Sequence, residues 1–359
     1  MSGEGTPWDR EQYLSHGEDW WPPHEVRMEL VEGCALRCQH CGIQGIREPG
    51  DRTLRFMDPA LPVKAAREIY RRIWKSVLVY TGRGEMCNHP NLDRIVEEVR
   101  DLSRLRWQTQ VLETSGAGLL DLRLRNHGPI GIRYVNRMAS LMESGLTVLM
   151  LHRRRGTEYI WDAVDDMAED AAYLLDARLE RYYVSHTSGR ADRVFCLIRD
   201  VVRAKMADPV IRASAHAGAG ARAFRPHVKR VMGVPMCGRP AQELVVRFDG
   251  RVVICQEDYR GEVCIGDFNE QSLYDIWYSP IARSARARGF AGLRDLRPCS
   301  GCDHVTDGRM LVGCRHMVRP PDSGDLVRLA LEQPPLTTPV LRHWERPGAI
   351  APRTVRRVY

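Results

Sequence analysis

The chain has 359 residues, 28% of them charged, and a formal net charge of +7. That is the composition of an ordinary soluble globular protein longer than one usual domain, so one large core with at least one smaller attached unit is expected. No apolar run approaches the roughly 20 residues of a membrane helix, and the polar start Met-Ser-Gly-Glu-Gly-Thr-Pro is unlike a signal peptide, which excludes a membrane role and points to the cytoplasm.

Nearly all the positive charge is arginine, since Lys64, Lys75, Lys205 and Lys229 are the only lysines; it is scattered among acids, and this argues against a nucleic-acid footprint. Eleven cysteines in a reducing compartment are metal ligands or buried thiols rather than disulfides.

Residues 1–25, with Trp8, Trp20, Trp21 and Pro22-Pro23, read as an irregular arm. Arg27 to Val31 is a first strand. Asp58-Pro59 then opens a helix that Ile69, Tyr70, Ile73 and Trp74 continue at helical spacing. Ser76 to Tyr80 is a second strand, and Leu92, Ile95, Val96, Val99 and Leu102 line one helical face. Further strands are expected at Thr109 to Leu112, Leu146 to Leu151 and Glu180 to Val184, with Cys196 in an apolar helical segment. Repeated strand-then-helix units imply a parallel sheet, with chemistry gathered at the carboxyl ends of its strands. After about residue 225 the style changes. Glu243 to Ile254 forms two β-rich runs about Asp249-Gly250, a hairpin signal, and Gln271 to Ala287 is helical with Leu273, Ile276 and Trp277 buried together. From Val318 onward, repeated prolines and arginines describe an extended tail with one short helix near Asp325 to Leu331.

Three cysteines leave the end of the first strand as Cys34-x3-Cys38-x2-Cys41. Three thiolates on one short loop can hold three corners of a 4Fe-4S cube and leave one iron open; a zinc loop is the bland alternative. The spacing resembles the radical S-adenosylmethionine (SAM) family signature, C-x3-C-x-aromatic-C, with His40 in the aromatic position. The resemblance implies that the open iron chelates SAM and that one electron cleaves it to a 5'-deoxyadenosyl radical, with orientation supplied by the protein. It also assigns Gly82-Arg83-Gly84-Glu85, at the end of the second strand, to the family's Gly-Gly-Glu or Gly-x-Gly-Glu motif, where glycine permits close approach and Glu85 accepts from the ammonium of SAM. Thr114-Ser115-Gly116 is similar to the Thr-Asn-Gly turn near the nucleoside, with an ordinary strand-to-helix turn as the alternative. Cys87, two residues past Glu85, is a candidate hydrogen-atom donor facing the active site, although the family usually has proline where this chain has Met86. His152, Ser185 and His186 lie at strand ends that ribose or substrate could reach, and no carboxylate or histidine stands out as a general base.

In the second half, Cys237, then Gly250-x4-Cys255, then Cys299-x2-Cys302 can complete a tetrahedral thiolate set, suited to iron-sulfur or to zinc. This half resembles the SPASM and twitch domains that follow radical SAM barrels: Gly266-Asp267-Phe268 through Ile276-Trp277 and Ala215-His216-Ala217-Gly218 match their stretches. A full SPASM domain carries more cysteines after C-x2-C than this chain, where Gly308 breaks the series. The pattern therefore fits the shorter twitch form with one auxiliary 4Fe-4S cluster, as in 2-deoxy-scyllo-inosamine dehydrogenase. Cys264 and Cys314 read as buried small hydrophobes.

The expected architecture is α/β: a partial (β/α)6 TIM-type barrel over 26–225 and a small α+β twitch/SPASM-like iron-sulfur domain over 226–317, between an arm (1–25) and a tail (318–359). The resemblance implies dehydrogenation of a small molecule, with an electron donor such as flavodoxin or ferredoxin. Two other readings stay open: a maturase acting on a ribosomally made peptide, and a non-catalytic metal-stapled binding protein.

Overall fold

The computed structural model describes residues 22–34, 53–72, 76–102, 108–119, 130–152, 158–185, 191–198, 237, 239–290, 296 and 299. The tryptophans of the arm, the Pro/Arg-rich tail, Ile73, Trp74, His186, Ala215-His216-Ala217-Gly218 and Cys314 lie outside them.

Strand β1 (Glu25–Met28) is central. Its side chains alternate: Val26, Met28 and Leu30 join the apolar cluster with Ala65, Ala66 and Ile69, while Glu25, Arg27 and Glu29 point to the other face. The first strand ends earlier than its sequence suggests. Val31–Glu32 (β2) leaves the main sheet to pair antiparallel with β3 (Arg55–Phe56), so the cysteine loop departs from a small two-stranded ribbon.

Helix α1 (Ala60–Arg71) starts as expected, the carboxylate of Asp58 accepting from the amide of Ala60 at 2.9 Å. Next come β4 (Val77–Tyr80), α2 (Leu92–Leu102), β5 (Gln110–Thr114), α3 (Ile130–Ser144), β6 (Val148–His152) and α4 (Glu158–Leu175). Leu92, Ile95, Val96 and Val99 of α2 are all buried, each stabilising the fold by about 1.5–3 kcal/mol. Strands β1, β4, β5 and β6 run parallel.

The repeat then changes. β7 (Arg178–Ser185) and β8 (Ala191–Ile198) form an antiparallel hairpin, and β8, not β7, pairs with β6, also antiparallel. Cys196 therefore lies in a strand, opposite Met150, and not in a helix. Among the described residues the parallel βα run has four strands rather than six.

The second half is grafted onto the same sheet. β9 (Glu243–Val246) pairs parallel with β1 on the side away from β4, and β10 (Arg251–Val253) and β11 (Cys264–Asp267) extend it antiparallel. The result is one nine-stranded sheet in the order β11-β10-β9-β1-β4-β5-β6-β8-β7. Strands from before and after the expected boundary near 225 thus share one sheet. The Asp249-Gly250 turn forms the predicted hairpin; Gly250 has φ +87°, and a Cβ there would meet Asn269 Nδ2 at 2.0 Å. The stretch expected as one helix is two, α5 (Leu273–Trp277) and α6 (Pro280–Phe290), with Ser272 capping α5 and Pro280 opening α6. Helix α1 clasps this half from outside. Lys64 Nζ donates to the carbonyls of Phe268 (2.5 Å) and Gln271 (3.0 Å), and the Glu68 carboxylate accepts from the amide of Leu273 at 2.6 Å.

Candidate functional site

The beginning of the cysteine loop and the Gly-x-Gly-Glu turn touch. Gly33 and Gly84 form a parallel β-bridge, and the amide of Glu85 donates to the carbonyl of Gly33 at 3.3 Å. A Cβ on Gly84 would lie 2.1 Å from the carbonyl oxygen of Val31, so only glycine admits this approach. Cys34, the next residue after Gly33, is held at the mouth of the sheet beside Gly82–Glu85. Cys38, His40 and Cys41 lie outside the described residues.

Arg83, the variable position of the motif, fixes the turn. Its amide and Nε both donate to Glu29 Oε1 at 2.7 Å, Nη2 donates to Glu29 Oε2 at 2.8 Å, and Nη1 lies 2.9 Å from Glu32 Oε1. Burial opposes the charge on both partners. It raises Glu29 above the ordinary carboxylate range, against the pull of Arg83, while Glu29 and Glu32 hold Arg83 above its usual value in spite of burial. A bidentate fork of this kind needs arginine.

Glu85 joins the second strand's turn to the third. Its carboxylate accepts from the hydroxyls of Thr114 and Ser115, from the Ser115 amide at 3.0 Å and from the Cys87 amide at 3.4 Å. Four donors fill the roughly four acceptor positions a carboxylate offers. The expected Glu85, Thr114 and Ser115 are thus brought together and buried in one ledge at the carboxyl ends of β4 and β5, with Gly84 half-buried and Gly82 exposed beside them. Gly116 (φ +84°) turns the chain where a Cβ would lie 2.2 Å from the Tyr134 hydroxyl. That hydroxyl is buried and has no hydrogen-bond partner among the described residues.

Cys87 packs behind this ledge. Burial, with the Glu85 carboxylate adding to it, pushes its thiol well above the ordinary range, so it is a protonated core thiol. His152, at the end of β6, is also buried.

On the inner face of the sheet lies a charged layer. Arg27 meets Glu25 at 2.6 Å, Glu243 at 3.1 Å and Glu113 at 3.7 Å, and donates to Gln256 Oε1 at 2.6 Å. Burial would lower its pKa, but the three carboxylates hold it above the ordinary arginine value. Sequence reasoning missed Arg27, Glu29 and Tyr134, and gave Arg83 no role beyond its place in the motif. The one signal was the charged alternation Glu25-x-Arg27-x-Glu29 in a strand flanked on both sides by others.

In the second half, Cys237 and Cys255 are neighbours. The Cys237 amide donates to the Gly289 carbonyl at 2.9 Å, and Cys237 acts electrostatically on Cys255. Burial, followed by Glu243, pushes the Cys255 thiol up, and the buried Arg239 pulls the other way. Cys299 packs at the border of the apolar cluster containing Cys255. A buried arginine beside two thiols suits an anionic thiolate-bound centre, so these residues fit the iron-sulfur expectation. Cys302 lies outside the described residues, among which no group of three or more His, Cys, Asp or Glu converges on a metal position. Cys264 is a buried thiol on β11 whose Sγ donates to the Gly266 carbonyl at 3.2 Å. No helix among the described residues is long and apolar enough to cross a membrane.

Comparison with known proteins adds two findings. Residues 237–303 match the SPASM family model, described as an iron-sulfur cluster-binding domain, and the match ends one residue past Cys302. The fold is similar to that of BtrN, solved in complex with AdoMet and 2-DOIA: the TM-score is 0.53 at 18% identity, over 80% of this chain and 95% of BtrN. A selenomethionine BtrN in an open conformation aligns at TM-score 0.48 and 17% identity, over 79% of this chain and 94% of that one. No curated protein matches the sequence significantly. The family match is thus to an iron-sulfur cluster-binding domain over the second cysteine set, and the likeness to BtrN is one of fold.

Proposed function

We propose that this chain is a radical SAM oxidoreductase that removes hydrogen from a small, carbohydrate-like molecule in a net two-electron oxidation. One observation carries the reading: the Gly33–Gly84 bridge sets Cys34 against a Gly-x-Gly-Glu turn whose glutamate is bonded to Thr114 and Ser115. Three separately read motifs thereby become one ledge at the carboxyl ends of adjacent parallel strands, where ligands bind in sheets of this type.

Cys34, Cys38 and Cys41 would hold a 4Fe-4S cluster with one open iron, and with SAM bound there the pair supplies the one-electron cleavage that gives a 5'-deoxyadenosyl radical. The chain's own residues position the cofactor. Gly82 and Gly84 leave their backbone uncovered for the amino-acid end of SAM, and Arg83 keeps that backbone rigid through Glu29. Glu85 orients Thr114 and Ser115 toward the nucleoside side, and reaches an ammonium itself only by giving up one of its present donors. His40 belongs to the same loop and would flank the cofactor. Cys237, Cys255, Cys299 and Cys302 would hold an auxiliary 4Fe-4S cluster, whose chemistry is uptake of the second electron. The first substrate electron would leave with the abstracted hydrogen atom, and flavodoxin or ferredoxin in the cytoplasm would supply the separate electron spent on cleaving SAM. The SPASM match supports the auxiliary centre, and likeness to a fold solved with AdoMet and 2-DOIA supports a small-molecule substrate over a peptide.

The test is anaerobic reconstitution followed by iron, sulfide and 5'-deoxyadenosine measurement. The expected result is about eight irons per chain, falling to about half when either the Cys34 trio or the Cys237 quartet is replaced, with 5'-deoxyadenosine released from the intact protein. Unchanged iron after loss of the quartet would remove the auxiliary centre, and no 5'-deoxyadenosine would favour a metal-stapled scaffold.

A further inference from the structure

Building on the radical SAM reading, we propose that Arg247 is a positioning residue that ties the Gly82–Glu85 cofactor loop to the hairpin carrying Cys255, so that the state of the auxiliary centre is felt at the SAM site. Arg247 opens the hairpin turn. Its carbonyl accepts from the Gly250 amide and its amide donates to the Arg251 carbonyl, both at 2.8 Å, and the same hairpin leads on to Cys255. The side chain leaves the turn inward, with a guanidinium only 5% exposed.

That guanidinium shares its two carboxylates with Arg83. Glu29 Oε2 lies 2.8 Å from Arg83 Nη2 and 3.8 Å from Arg247 Nε, while Glu32 Oε1 lies 2.9 Å from Arg83 Nη1 and 3.7 Å from Arg247 Nη2. The two carboxylates are held tightly on the side of the cofactor loop and loosely on the side of the hairpin, and Arg55 adds a 2.6 Å contact to Glu32 Oε2 from the solvent side. Nε and Nη1 of Arg247 make no hydrogen bond among the described residues, so the head has room to close on its carboxylates. Gly261, at φ +67°, makes the space: a Cβ there would lie 2.0 Å from Arg247 Nη1. Arg83, Gly82, Arg247 and Cys255 line one small cavity, with Arg27 and Gln256 at its side.

The coupling runs through contacts already described. A shift of the hairpin moves Arg247 against Glu29 and Glu32, and these are the groups that hold the amide and the guanidinium of Arg83. Without Arg247, among the described residues Glu29 keeps only Arg83, and Glu32 keeps Arg83 and the partly exposed Arg55. Glu29 then loses its link to the hairpin, and the cofactor loop that Glu29 holds through Arg83 is freer to move.

The experiment compares the anaerobically reconstituted full chain with Arg247→Met, Arg247→Lys and Cys255→Ser variants. Amide exchange over Gly82–Glu85, SAM affinity and iron content are measured on each. With both clusters retained, R247M is expected to exchange about tenfold faster in that segment and to bind SAM about tenfold more weakly, with R247K recovering most of both effects. C255S is expected to loosen the same amides in the parent protein but add little on top of R247M. If R247M does not fold, Glu32→Gln must loosen the segment in its place. Unchanged exchange and affinity in R247M, or full additivity with C255S, overturns the proposal. Exchange is read without turnover, so a parent protein that releases no 5'-deoxyadenosine refutes the activity and leaves the coupling measurable.

Discussion

Replacing Gly84 by alanine tests the contact on which the site depends. The added Cβ would sit 2.1 Å from the Val31 carbonyl oxygen and 2.8 Å from that of Gly33, both backbone atoms that no rotamer change can move. The two segments must separate by about 0.9 Å before the closer contact reaches 3.0 Å, the lower limit for real Cβ atoms. Overpacking of this kind costs about 1–3 kcal/mol, and loss of the hydrogen bond from Glu85 to Gly33 adds about 1 kcal/mol. The total, about 2–4 kcal/mol, lowers the melting temperature of the reconstituted protein by about 3–5 °C. Function suffers more than stability, because a displacement of about 1 Å between groups that act together can reduce turnover about a hundredfold. Thermal melts, SAM binding and 5'-deoxyadenosine release should therefore all fall in G84A, whereas Arg94→Ala, at an exposed ion pair on α2, changes stability by no more than about 0.5 kcal/mol. A G84A protein that melts with the parent and binds SAM equally well would show that the cysteine loop and the glycine turn do not meet as described.

Three other measurements probe the surrounding residues. Arg83→Met strips the tight partner from Glu29, which is 2% exposed, and should cost about 3–5 kcal/mol in urea unfolding; a loss below about 1 kcal/mol would show that the fork is not formed. Tyr134→Phe removes a buried hydroxyl without a partner among the described residues and should raise stability by about 1 kcal/mol, while a loss would reveal an acceptor for it. Burial raises the folded-state pKa of Glu29 and Glu243 above 4.5, so each binds its proton more tightly folded than unfolded, and the stability they contribute is full below pH 4.5 and lost as pH rises through the raised values. Glu243→Gln should flatten that decline in a series of denaturation midpoints, and an unaltered slope would count against a raised Glu243.

Local signals made the site legible where the chemistry is local. The cysteine spacing, the glycine-glutamate turn, the α2 periodicity and the Asp249-Gly250 hairpin each depend on a few neighbouring residues, and each of these elements was visible in the chain. The pairing of β9 with β1 joins residues more than 200 positions apart, and no local pattern encodes it. The charged alternation of Glu25, Arg27 and Glu29 carries no local sign of its burial for the same reason. Alternating polar residues ordinarily mark a solvated face, and only the arrival of Glu243 and Gln256 from the far end of the chain makes that face an interior. The β7–β8 hairpin was missed because Cys196 lies in an apolar run that suits a strand or a helix equally.

The seam between β1 and β9 bears on how the protein can be cut. A fragment stopping short of residue 237 would lose β9, the strand that pairs with β1. It would turn the strand that leads into Cys34 into a raw sheet margin, with open amides and carbonyls beside buried charges that have lost Glu243 and Arg247. Such a piece invites self-association, so shortened versions of this protein should be sought by trimming beyond Cys302 and never by removing the cysteine-rich half.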